Sequence, residues 1–370
     1  MMLQTLKQEW AVLRRREFDF LIFFVTGQCN ARCQHCFYWQ HLGPDHYGLA
    51  IEGVERLARS MPHFRTLLLS GGEPTLRADL VDLIRPFREH NHIQYVSIPT
   101  NGLLPERIAE LAGKLAQALP DVEISFNLSL DGFAELHDRI RGVPSAFERV
   151  KQTLQLLALQ KQAYSNLRTT INSVILGDNC DQIVELAQEV QRWGLVDGHF
   201  FEVVRGFPRD ERLKIISPEV LWRVYGELLQ IQEPYVRQQV GSRKGLRRWW
   251  SYIAKFGGLI YQYRRQWEVF VGERRWDYPC LAGDVIAVVD YDGSMRVCEL
   301  REASVSLPEY GFDFERARAD AVFRSERRIA KTHTCDCTHV CFMVTSLHFD
   351  LFTRFVRVPL SYALYKWRGW

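Results

Sequence analysis

Cys29-Asn30-Ala31-Arg32-Cys33-Gln34-His35-Cys36 follows directly on an apolar run from Phe18 to Val25. The run reads as a buried strand, so the three thiols sit on the loop leaving its C-terminal end. Thiolates at C-x-x-x-C-x-x-C spacing suit iron–sulfur chemistry. A full [4Fe–4S] site takes four protein ligands, one per iron, and three leave one iron open to a small molecule. Taken alone, the triad also admits a structural zinc loop or three separate buried thiols.

Downstream, apolar strands alternate with helices, and strand after strand ends in a polar turn. A helix over 51–60 precedes the strand Thr66 to Ser70, which ends in Gly71-Gly72-Glu73-Pro74. Glycines there allow close backbone approach to a ligand, and the carboxylate can receive an ammonium. A helix over 79–89 precedes the strand Tyr95 to Ile98, ending in Pro99-Thr100-Asn101-Gly102. A helix over 105–118 precedes the strand Val122 to Leu130, whose end reads Ser129-Leu130-Asp131-Gly132 and leads to His137-Asp138-Arg139-Ile140-Arg141-Gly142. A helix over 146–161, a strand over 168–176, a helix over 180–193 and a strand over 199–204 complete six β-α units. This alternation predicts a parallel sheet wrapped by helices, with ligands at the C-terminal strand ends. Read singly, Glu73 fits a solvated turn and Asp131 a turn-former ahead of Gly132. Asn172 and Arg205 stand where a substrate could be touched and also fit structural roles, and Cys180 has no partner at metal spacing.

Four of these motifs, in this order, resemble the radical S-adenosylmethionine (SAM) superfamily. The resemblance implies a partial (β/α)6 TIM-like barrel in which Cys29, Cys33 and Cys36 hold a catalytic [4Fe–4S] cluster and SAM fills the open corner. It implies further that Gly71, Gly72, Glu73 and Pro74 form the SAM-amine motif and that Arg141 faces the SAM carboxylate. A planar guanidinium suits that task because it pairs a carboxylate bidentately. Ser129 and Asp131 would face the SAM ribose or the substrate. Tyr38, in the aromatic Phe37-Tyr38-Trp39, and Thr100 and Asn101 complete the implied cofactor contacts.

A second cysteine set comprises Cys280, Cys298, Cys335, Cys337 and Cys341. Between the first two, Ile286 to Val297 reads as two strands joined by an Asp-Gly turn, so the pair meets at the base of a hairpin. The spacing resembles the SPASM and twitch domains, which carry auxiliary iron–sulfur clusters in radical SAM enzymes. It implies a small α+β domain holding one auxiliary [4Fe–4S] cluster on four of these five thiols, of which Cys280, Cys298, Cys337 and Cys341 are the expected ligands and Cys335 the weakest member. A zinc site on the same residues is the alternative.

Between the two sets, Arg237 to Trp276 carries ten Lys or Arg against two Glu, with nine aromatic residues interleaved. Trp249, Ile253, Phe256, Ile260, Tyr263, Trp267 and Phe270 recur at helical spacing, interrupted at Gly257-Gly258, and the other faces are basic. Such a helix could clamp two domains, lie on an anionic membrane surface or cover a polyanionic substrate. The tail Leu347 to Trp370 is again aromatic and basic. The expected organisation is an N-terminal helix (1–17), the barrel (18–207), a basic aromatic linker (208–276), the cluster domain (277–345) and the tail (346–370).

With 370 residues, 47% apolar and 25% charged, the chain has an ordinary globular composition, and a net charge of +3 makes no case for nucleic acid. Cysteines at metal-like spacings argue for a reducing cytoplasm, with peripheral membrane contact as an added expectation. The first twenty residues are too charged for a signal peptide. The superfamily resemblance implies an enzyme in which a reductant such as flavodoxin or ferredoxin feeds the cluster, and SAM is cleaved to a 5′-deoxyadenosyl radical. That radical would take a hydrogen atom from a small-molecule or amphiphilic substrate. A peptide-modifying maturase is the alternative, against which the short stretch before the first strand leaves no space for a leader-binding domain. A non-catalytic electron-transfer protein is a further alternative that the SAM-site motifs disfavour.

Overall fold

The computed structural model describes residues 17–241, 245–272, 275–332 and 337–370, so the helix expected within 1–17 and the thiol of Cys335 lie outside the described residues. Phe20–Thr26 (β1) is apolar almost throughout because both its faces are covered, and every position from Leu21 onward is buried. Strands Thr66–Gly71 (β2), Tyr95–Thr100 (β3), Glu123–Ser129 (β4), Leu167–Ile175 (β5) and Gly198–Val203 (β6) follow it in parallel, each beside its predecessor.

Helices Ile51–Ser60 (α1), Leu80–Asn91 (α2), Pro105–Ala118 (α3), Ala134–Arg141 (α4), Ala146–Ala163 (α5) and Ile183–Trp193 (α6) connect these strands. Each carries an apolar stripe inward: in α1 it is Val54, Leu57 and Ala58, one helical turn apart. The chain thus adopts the α/β class expected, and the six units appear within a few residues of their expected bounds. Two helices were not legible in the sequence, the short α4 and the long Pro218–Val240 (α7).

The C-terminal part departs from a separate domain. Its hairpin, Ile286–Val289 (β7) and Ser294–Arg296 (β8), lays β7 parallel to β1 in the register Phe20↔Ile286 to Phe23↔Val289. With Val305–Ser306 (β9) the sheet becomes nine-stranded, in the order β6-β5-β4-β3-β2-β1-β7-β8-β9. One contiguous apolar core runs from Phe18 to Val358 through both parts. The expected interruption at Gly257-Gly258 is a π turn, Ile253–Gly257, through which Gly245–Tyr252 (α8) passes into Gly258–Phe270 (α9) without ending. Phe314–Arg318 (α10), Ala321–Lys331 (α11) and Val340–Phe349 (α12) follow. A second π turn, Thr353–Arg357, then leads into Val358–Arg368 (α13).

Candidate active site

The loops leaving β1 to β6 converge on a cavity of about 220 Å³. Cys29, Cys33 and Cys36 line it from β1, Gly71, Gly72, Glu73 and Pro74 from β2, and Thr100 and Asn101 from β3. Ser129 and Arg141 come from β4 and α4, Asn172 from β5, and Glu202 and Arg205 from β6. Tyr38 closes one wall, its hydroxyl donating to Asp290 on the hairpin at 3.2 Å.

The cysteine loop is held by backbone. Arg32 N donates to Arg141 O at 3.0 Å and Gln34 N to Ile140 O at 2.9 Å, so the last carbonyls of α4 carry the loop. This explains H-D-x-x-R-G residue by residue. His137 Nδ1 accepts from Asp131 N at 3.1 Å, and Asp138 accepts from Ser145 N and Phe147 N at 2.6 and 2.9 Å, capping the start of α5. Arg141 turns into the cavity. Gly142 ends the helix at φ 66°, where a Cβ would lie 2.9 Å from Arg32 O. Gly71 and Gly72 meet the same requirement: Cβ atoms there would come within 2.1 Å of Thr26 O and 1.9 Å of Gln28 O. The paired glycines therefore seat β2 against the start of the cysteine loop.

Glu73 is 2% exposed and already well supplied with donors. Its carboxylate accepts from Asn101 N at 2.7 Å and from Thr75 N and Oγ1 at 3.1 and 2.7 Å. Burial raises its pKa above the ordinary carboxylate value while these donors pull it back. Two of these bonds close the turn onto Thr75 and one, from Asn101 N, ties the end of β2 to the end of β3, which leaves little capacity for the ammonium expected there. Asn101 in turn donates to Asn30 Oδ1 at 2.7 Å, joining β3 to the cysteine loop.

Asp131 is placed differently from its expected position facing ribose or substrate. It is fully buried, it is not among the residues lining the cavity, and its carboxylate lies 2.6 Å from Arg141 Nη2 and 2.9 Å from its donor Val174 N. Burial works against its charge, but Arg141 holds its pKa below the ordinary value. Arg141 Nη1 also reaches Cys33 Sγ at 3.6 Å, and its Nε has no partner. Asp131 thus acts through Arg141, fixing the guanidinium that faces the cavity.

Several lining residues had no motif. His35, between two of the thiols, is lowered to about 4 by burial against the pull of Asp131, so the ring is neutral, and its Nδ1 is unpartnered. Glu202 pairs with Arg205, whose guanidinium lies 4.9 Å from the Phe37 ring centroid. Arg205 also stands 3.6 Å from Glu299, which is bonded to His339 in the C-terminal cysteine segment. Burial opposes the charge of Glu299, yet His339 and Arg205 hold its pKa down to about 2. The sequence signal for Glu202 was its position at a strand end; Glu299, beside Cys298, carried none.

Cys280, Cys298 and Cys337 are buried, and the Cys298 thiol is pushed up by burial first and then by Cys337 and Cys280. At Cys341, burial and then Glu299 and Glu202 push the thiol up to about 12. It lines a second cavity of about 580 Å³ that shares Asn172 and Glu202 with the first.

The first cavity fits a three-thiolate cluster with a small charged ligand beside it. Burial pushes the Cys29 and Cys36 thiols up to about 12 and 11, so ionising them calls for a strongly cationic centre. Arg141 and His35, each with a buried unpartnered nitrogen, are among the residues lining the same space. Among the described residues no three His, Cys, Asp or Glu side chains converge as ligands of a single metal ion. A multi-iron cluster imposes no such convergence, because each thiolate binds its own iron.

Residues 23–190 match the radical SAM superfamily. The chain is 27% identical over 246 residues to GTP 3′,8-cyclase of Clostridium perfringens (strain SM101 / Type A), covering 62% of this chain and 72% of that protein. It is 30% identical over 184 residues to AdoMet-dependent heme synthase of Oleidesulfovibrio alaskensis, covering 49% of this chain and less than half, 44%, of that protein. Among solved structures, Streptococcus suis SuiB bound to S-adenosylmethionine superposes with a TM-score of 0.57 at 17% identity, over 88% of this chain and 72% of that one. SuiB bound to precursor peptide SuiA superposes at 0.56 with the same identity. At that identity the likeness is one of fold.

Proposed function

We propose, from the premise that this chain is an enzyme with a radical SAM domain at residues 23–190, that it abstracts a hydrogen atom from an amphiphilic small molecule held in the second cavity. The observation that carries this reading is that the two cavities share the lining residues Asn172 and Glu202. Tyr235, Val236, Leu259, Tyr263, Val340, Val344 and Leu347 give the second cavity an apolar wall, and Ser97, Asn127, Gln232 and Gln262 place a few polar groups along it. A chamber of this kind takes an apolar body and orients it by sparse hydrogen bonds.

The [4Fe–4S] cluster and SAM, when bound, supply the radical chemistry that no side chain can. Cys29, Cys33 and Cys36 would hold the cluster, and Arg141, braced by Asp131, would pair with the SAM carboxylate. Glu73 and Asn101 keep three strand ends in fixed relation, while Phe24, Phe37, Tyr38 and Val204 exclude water. Asn172 would orient the substrate where the cavities meet, and the Glu202–Arg205 pair sets a neutral, buried boundary beside it. Cys280, Cys298 and Cys337, with Cys341 at the second cavity's wall, would hold an auxiliary cluster. A one-electron donor of the flavodoxin or ferredoxin class would reduce the enzyme.

Anaerobic incubation with SAM and dithionite tests the chemistry by release of 5′-deoxyadenosine. Amphiphile fractions should raise that release and yield a product of altered mass, whereas a response confined to peptides would replace this reading. The peptide alternative draws its support from the fold shared with SuiB, which binds precursor peptide SuiA.

A further inference from the structure

The segments that looked basic and aromatic in the sequence pack side by side. Trp250 stacks on Phe355 at 5.5 Å, Phe256 meets Tyr365 edge-on at 5.8 Å, and a Cβ at Gly257 would lie 3.1 Å from Val358 O. One flank of this pair enters the core through Ile253, Phe256 and Val358. The other does not. Leu246 is 83% exposed, Trp249 56%, Phe352 58%, Leu360 56% and Trp367 72%.

An exposed apolar face of this extent marks an interaction site. Its charges say of what kind. Residues 245–256 and 351–370 contain Arg247, Arg248, Lys255, Arg354, Arg357, Lys366 and Arg368 and no Asp or Glu. A protein partner or a second copy of this chain would bring charges of both signs, while an anionic bilayer offers apolar depth beneath a uniformly negative surface. The face also reaches the second cavity: Lys255 and the 41% exposed Val344 line it, and Arg354 Nη1 lies 3.5 Å from Nε2 of His348, another lining residue.

We infer that this face docks the enzyme on an anionic phospholipid surface with the mouth of the second cavity toward the head groups, so that an amphiphile can enter from the bilayer. The docking rests on the exposed side chains alone. The delivery of substrate rests on the function proposed above.

Co-sedimentation of the full chain with vesicles of phosphatidylcholine, alone and with increasing phosphatidylglycerol, tests it. Binding should rise with phosphatidylglycerol and fall with added salt. Arg248→Glu, Lys366→Glu and Arg368→Glu should each weaken it roughly five-fold or more, since each cation near the surface contributes about a five-fold factor. Trp249→Ala should weaken it as well, with thermal melting unchanged because the ring is exposed. Binding that is absent, or indifferent to lipid charge, overturns the inference. So does a concentration-dependent dimer lost in Trp249→Ala, which would assign the face to a second copy. Release of 5′-deoxyadenosine without vesicles, measured on the same variants, separates a failure of docking from a failure of the proposed chemistry.

Discussion

Arg205 and Glu299 lie 3.6 Å apart, one at the end of β6 and the other beside Cys298, and with Glu202 and His339 they form a line of paired polar side chains between the two cysteine groups. Removing the cation takes the ion-pair partner from Glu202 and leaves Glu299 with His339. Breaking a buried pair of this kind costs about 3–5 kcal/mol, far more than an exposed pair would. Arg205→Met should therefore lower the melting temperature clearly, and Glu299→Gln, which keeps hydrogen-bonding capacity, should do so less. Equal melting of wild type and Arg205→Met would show that the line carries no stability.

The cysteine triad is expected to be necessary for SAM cleavage. Replacing Cys29, Cys33 and Cys36 together with Ala should abolish release of 5′-deoxyadenosine and leave the C-terminal iron in place. Residual cleavage above background in that protein would defeat the assignment.

Because Asp131 reaches the cavity through Arg141, the two should act as a unit. Arg141→Met removes charge-assisted hydrogen bonds worth about 1.5–3 kcal/mol each, so SAM affinity should fall roughly 10- to 100-fold. Asp131→Asn leaves Arg141 present and less well held, so it should weaken binding by a smaller factor, and the double variant should be no worse than Arg141→Met alone. Titration of the reconstituted proteins with SAM decides this; additive losses would give Asp131 a contact of its own.

Glu73→Gln tests a different point. The new amide would put a donor against Thr75 or Asn101, which are donors already. The expected result is loss of thermal stability together with loss of SAM affinity. A stable protein that has lost only SAM affinity would restore the direct ammonium contact read from the sequence.

The C-terminal cysteines are expected to hold iron in place of zinc. Anaerobic metal analysis of the triad-to-Ala protein should find about four irons per chain, as for one cubane cluster. Adding Cys298→Ala should remove them. Stoichiometric zinc without iron–sulfur absorption would argue against an auxiliary cluster.

Much of this architecture was legible because it is local. Strand runs such as Phe20–Thr26 and the apolar stripe of α1 are periodic in the sequence, and polar turns at strand ends point to the ligand side of a parallel sheet. What stayed hidden is non-local. No pattern tells that Asp131 is screened behind Arg141, that the Glu73 carboxylate is claimed by Asn101 N, or that Glu299 answers Arg205. Gly257-Gly258 mimics a stop in the sequence, whereas the helix continues through a π turn at Ile253–Gly257 into Gly258–Phe270. The hairpin is legible in the sequence, but its partner, β1, lies more than 260 residues away: Phe20 pairs with Ile286.

That last pairing bears on how the protein can be cut. Strand β1 is apolar from Phe20 to Val25 and is flanked by β2 on one side and β7 on the other. A truncation before Ile286 would convert this interior strand into a bare, greasy rim with its backbone donors and acceptors open to any passing chain. The region of six β-α units is therefore not a detachable module here, and fragments ending near residue 207 should accumulate as aggregates.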